Sequence, residues 1–130
     1  MKMQTWLAAL AAAQFAMPLA AHDLTVGECV EAGEFIMHAA MSRDAGTTRE
    51  EFVGKMREDL FVILAYPPEL RWFVQDESDE ELLVTHAERV FDEPVTPESH
   101  ESAFLQACFN RLGEQAHARE ERIRAAQANE

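Results

Sequence analysis

The chain is short of positive charge. Its 130 residues carry 11 Lys and Arg against 24 Asp and Glu, a net charge of -13. A surface that acidic repels nucleic-acid phosphates and anionic lipid, which excludes direct nucleic-acid binding. Glycine and proline number five each, too few for a collagen-like or Pro-rich chain. Glycine-rich phosphate loops, Cys-x-x-Cys pairs, nucleophile-elbow serines and His-x-x-x-His spacings are all missing. The residues therefore offer no catalytic constellation and no strong metal motif. What is present is ordinary for one small globular domain, 48% hydrophobic and 27% charged.

Residues 1–21 have the layout of a secretory signal peptide. Lys2 supplies a positive start, Trp6 to Ala16 an apolar stretch, Pro18 a break, and Leu19-Ala20-Ala21 small residues for a peptidase. Cleavage after Ala20 and after Ala21 both fit. Removal of residues 1–21 takes away Lys2 and no acid, leaving 10 bases against 24 acids, a net charge of -14 over 109 residues. No later segment is long and apolar enough to span a membrane. The expected location is the bacterial periplasm or the medium. Cys29 and Cys108 are the only cysteines, and in an oxidising compartment the expectation is one disulfide between them. Closing so long a loop stabilises by about 4 to 5 kcal/mol in the chain-entropy model.

Helical spacing and start signals predict an all-α, compact bundle of about four helices over residues 22–113. Thr25 with Glu28 makes a capping box before Cys29, Gly33, Ile36 and Ala40, and Gly46 suits the left-handed residue that stops a helix. Thr48 with Glu51 opens a second helix, striped by Phe52, Val53, Met56, Leu60, Ile63 and Leu64 and ended by Pro67-Pro68. Ser78 with Glu81 reads as the start of a third helix, with Leu82, Leu83, His86, Ala87 and Val90 as its apolar face. Thr96-Pro97 opens a fourth, whose face is Ala103, Phe104, Ala107, Cys108 and Leu112 and which Gly113 is expected to stop. Residues 114–130 read as a polar helical or frayed tail. Thr48–Phe61 and Ser78–Phe91 match at an offset of 30; convergence, expected of any capped amphipathic helix, is the preferred expectation, and a duplicated helical unit the alternative.

The candidate partner patch is Leu70, Arg71, Trp72 and Phe73, because aromatics and Arg are the types enriched at interface hot spots; the preferred expectation is that Trp72 faces inward and caps the bundle core, the alternative that it is exposed as part of the patch. Weak metal candidates are Met37, Met41 and His38, soft and imidazole ligands on one helix, and His22, an amino-terminal copper chelator if cleavage follows Ala21. The core-filling role of methionine is the preferred expectation for Met37 and Met41, and His86 reads as a core histidine. His100 and His117 lie on polar stretches, and Glu50/Glu51, Glu80/Glu81 and Glu120/Glu121 read as helix caps and solvated acids.

Cys29, the Arg43-Asp44-Ala45-Gly46 break, and Ala107-Cys108 with Arg111 resemble a loose class of small exported bacterial helical proteins with one cysteine near each end. The resemblance spans residues 29 to 111. It implies export and a helical fold, and it assigns no catalytic residue. A more distant resemblance is to periplasmic acid-stress chaperones, small helical proteins with one disulfide, whose cysteines lie closer together and whose tails are Lys-rich. The expected function is non-enzymatic binding or interaction, its sharpest form an acidic inhibitor or immunity-type protein facing a basic partner, with no cofactor; the alternatives are an acid-stress chaperone and a copper-handling protein. Intact mass of the exported protein is expected to start at Ala21 or His22 and to gain two alkyl groups only after reduction. Retention of residues 1–21, or alkylation without reduction, overturns that expectation.

Overall fold

The computed structural model describes residues 22–129; the predicted signal segment lies outside them. Among the described residues there are four α-helices and no strand: α1 (Val26–Asp44), α2 (Arg49–Ile63), α3 (Glu77–Asp92) and α4 (Pro97–Ala128), with a single 3-10 turn at Pro68–Leu70 between α2 and α3. The expected all-α bundle of four helices with the disulfide Cys29–Cys108 is what forms.

Each helix starts where a side chain satisfies its orphan N–H groups. Thr25 accepts from Glu28 N, Thr48 from Glu51 N, and both boxes close reciprocally through the glutamate. Thr96 accepts from Ser99 N, with Pro97 as the first helical residue. The third start differs from expectation. Asp76, not Ser78, is the N-cap of α3 and accepts from Asp79 N. Both residue types cap well; with Asp76 in that place, Ser78 falls inside the first turn. Gly46 adopts φ 104, the left-handed geometry that releases the chain after α1.

α1 is the central element, packed against both α4 and α3, while α2 packs on α3. Gly33 allows the α1–α4 approach: a Cβ there would lie 3.0 Å from Leu105 Cδ2. Four residues earlier, Cys29 is bonded to Cys108 with Cα atoms 5.8 Å apart. Ile36, Ala39, Ala40, Leu83, Ala87, Val90, Phe73 and Phe104 fill the core around this seam, with Phe73 and Phe104 rings 5.7 Å apart.

Arg43 locks the far end. Its Nη1 donates to Val90 O (2.7 Å) and Glu93 O (3.1 Å), and its Nη2 donates to Val95 O (2.8 Å). Those carbonyls belong to the C-terminus of α3 and the link to α4, where intrahelical donors run out. His100 completes the arrangement. It is buried, contrary to its reading as a residue of a polar stretch, and its Nε2–H donates to Glu93 O at 2.9 Å. Arg43 of α1, 57 residues away, and the Glu93 carbonyl both lie against the imidazole.

Gly113 does not stop α4, which runs unbroken to Ala128. The segment His22–Leu24 grips its extension on one side, through Leu24 N–H to Gln115 Oε1 (3.1 Å) and an ion pair between Asp23 and Arg119. Beyond Arg119 the helix is exposed on all sides. The offset-30 pair also separates in space: Phe61 is 82% exposed while Phe91 is half-buried against Phe52.

Replacing both Cys29 and Cys108 by Ala is expected to cost about 4.5 kcal/mol for the sequence separation of 79, read as a lower denaturant midpoint with the helical circular-dichroism spectrum retained at low denaturant. A loss below about 1 kcal/mol would mean that the α1–α4 seam holds without the bond.

Candidate functional site

The side chains of α2 along its inner face are Phe52, Met56, Leu60 and Ile63. Met56 and Leu60 meet the core, whereas Phe52 and Ile63 are half-buried. Because α2 packs on α3 and meets α1 chiefly through Phe52 against Phe35, the stripe is covered along one edge and, among the described residues, open along most of the other. The result is an open apolar groove of about 370 Å³. Leu83 of α3 forms its floor and Phe35 of α1 its opposite wall. The aromatic rings join at one end: Phe35 lies 5.7 Å from Phe52 and 6.0 Å from Trp72, centroid to centroid. The rim on the α2 side is polar and set by residues four apart, Glu51, Lys55 and Asp59, with Lys55 paired to Asp59.

Trp72 is held in the groove wall by a relay of polar contacts from α4. Arg111 Nη2 sits 2.8 Å from Asp79 Oδ1, an ion-pair contact without hydrogen-bond alignment. Asp79 Oδ2 accepts from Gln75 N–H at 3.0 Å. Gln75 Nε2 then donates to Pro68 O (2.9 Å) and Trp72 O (3.1 Å). Arg71 ties the same loop by donating to Tyr66 O and Gln75 O. So fixed, Trp72 takes φ 57, a left-handed conformation that a bulky residue adopts only under constraint. Its Nε1–H donates to Glu31 Oε2 at 2.9 Å.

The predicted patch is thus divided. Phe73 is fully buried, Leu70 is 65% exposed, Arg71 is committed to the loop's carbonyls, and Trp72 is half-buried at the groove. Trp72 packs against the edge of the core, as expected of an inward-facing residue, and its half-exposed side lines the groove. The groove itself went unrecognised in the sequence, because Phe52, Met56, Leu60 and Ile63 carry the same period as any core stripe.

The metal candidates do not converge. His22 Nε2 engages the Glu28 carboxylate at 2.9 Å. Met37 is half-buried, His38 exposed, and Met41 is 52% exposed. Met41 therefore departs from the expected core role: it falls just past the side of α1 that α3 and α4 cover. No group of three or more His, Cys, Asp or Glu among the described residues is placed to hold a metal ion.

Two buried ionisable groups carry perturbed pKa values. Burial pushes the His86 imidazole below its ordinary 6.5; Arg89 and His100 act in the same direction and Glu93 against it. His86 lies edge-on to Phe104 at 5.3 Å. Burial raises the Asp79 carboxyl above its ordinary 3.8, opposed by the Gln75 N–H and by Arg111. Comparison with protein-family models, with curated proteins and with solved structures finds no match for the chain.

The sign of the pH dependence follows. Unfolded His86 takes a proton near pH 6.5, whereas the folded residue resists until lower pH, so its contribution to stability is fully present above 6.5 and is lost as pH falls below it. Asp79 acts oppositely: acidification through its raised pKa relieves the cost of its buried charge. The His86 contribution is therefore expected to lower the Tm as pH falls below 6.5, and His86→Gln is expected to lose less Tm than the parent chain between about pH 7 and pH 5. An unchanged slope in the variant would assign the acid sensitivity elsewhere.

Proposed function

We propose that this chain is an exported, non-enzymatic binding protein whose partner is a basic protein. The observation that carries the reading is the open apolar groove along α2, with its polar rim, on a chain of net charge -13. An open apolar groove with a polar rim is the form that ligand and partner sites take. Charge of one sign brings an oppositely charged partner in rapidly and discriminates against acidic proteins, while the buried apolar contact supplies most of the affinity. Export is supported by the layout of residues 1–21 and by the disulfide, which persists in an oxidising compartment. In that setting an inhibitor or immunity-type role is the specific form of the proposal: one acidic domain masks one basic surface.

Affinity capture from periplasmic extract on the immobilised protein is expected to retain a basic protein at low salt and release much of it at 1 M salt, where the Debye length is about 3 Å. Absence of any salt-sensitive basic protein among the retained species would remove the proposal.

A further inference from the structure

The geometry points to a single amphipathic α-helix with a cationic edge as the occupant of the groove. This rests on the reading of the chain as a binder of a basic partner and adds the form in which that partner is recognised. Three observations support it.

The first is shape. The groove-lining residues of α2 run from Glu51 to Ile63, a length of about 18 Å at 1.5 Å per residue. They form two parallel rows at a spacing of four, Glu51, Lys55, Asp59 and Phe52, Met56, Leu60. Rows of that spacing make the furrow into which the ridges of another helix interdigitate. Beyond the contact of Phe35 with Phe52, no helix among the described residues fills the space between α2 and α1. An extended segment would find no such match, since the described residues contain no strand whose edge could pair with it.

The second is charge. The floor and far wall are apolar, Leu83 and Phe35, and the α2 rim offers two carboxylates to one ammonium. Lys55 and Asp59 satisfy each other, and Glu51 Oε2 accepts from Thr48 N–H, which leaves oxygen sites on both acids for cations. A basic helix places Lys or Arg at i and i+4 opposite these sites, while its apolar stripe enters the furrow. A second copy of this chain would bring another -13 to the same contact, which disfavours self-association as the occupant.

The third is continuity. Val62 lies seven residues on from Lys55, on the same face, and is 52% exposed. It extends the apolar surface past the polar rim, where a longer helix would continue.

The test uses the full chain and three probes: a Leu/Lys peptide patterned as an amphipathic helix of about four turns, its diastereomer with alternating D- and L-residues, which has the same composition and charge but cannot form the helix, and palmitate. Titration calorimetry at low salt is expected to show the all-L peptide binding with a Kd of about 10 µM or tighter, the diastereomer at least about tenfold weaker, and palmitate not competing. Asp59→Lys, an exposed rim change, is expected to weaken the all-L peptide about fivefold, whereas Glu121→Lys, the same charge change on the exposed part of α4, leaves it unchanged. Retained melting curves establish that both variants fold. Equal binding of the two peptides overturns the helical occupant while leaving the basic-partner proposal standing. Equal losses from Asp59→Lys and Glu121→Lys overturn the groove as the site. Binding of palmitate alone, or of none of the probes, overturns the inference outright.

Discussion

The seam between α1 and α4 is the constraint from which the remaining geometry follows. Gly33 brings the two backbones close enough for Leu105 to fill the space where a side chain would stand, and one turn earlier the sulfur bond joins Cys29 to Cys108. With α1 committed to α4 on that side, its other buried surface receives α3. Arg43 then fixes where α3 ends by donating to three carbonyls beyond the reach of helical donors. Among the described residues nothing comparable ties α2 to α1 beyond the contact of Phe35 with Phe52, so the apolar face of α2 is only half covered by them. The open groove is thus a product of the same packing that closes the core.

The loop before α3 shows how the wall of that groove is kept in place. A buried carboxylate at the start of a helix, Asp79, is costly unless it has several partners. It has a backbone N–H and a guanidinium, and their combined pull is outweighed by desolvation, since its pKa stays raised. The same group orders Gln75, and Gln75 orders the carbonyls on either side of Trp72's turn. Energy spent on burying charge in one place thereby sustains an unfavourable backbone geometry in another.

Helix starts were legible because they are local. Thr25 with Glu28, Thr48 with Glu51 and Thr96-Pro97 satisfy donors within three residues, so spacing alone identifies them. Asp76 and Ser78 are both competent caps within two positions, and Asp76 also pairs with Arg111, 35 residues on and outside the local pattern. His100 reads as solvated because its neighbours in sequence are polar, yet it is buried, with an arginine 57 residues away among its contacts. Gly113 looked like a stop, yet a helix tolerates an isolated glycine at a cost of about 1 kcal/mol, and Gln115 and Arg119 hold the chain just beyond it. Periodicity marks Phe52, Met56, Leu60 and Ile63 as one apolar face but contains no information on whether another element lies over it. That is why the core was readable and the groove was not.

Trp72 gives the molecule a built-in optical gauge. It is the one tryptophan within residues 22–129. Its indole N–H rests on an exposed carboxylate, while the ring touches Phe35 on the groove side and Phe73 on the core side. Water exclusion around the indole would shift its emission to shorter wavelength, whereas loosening of the core would shift it the other way. Filling of the groove and melting of the bundle therefore write opposite colours onto a single side chain.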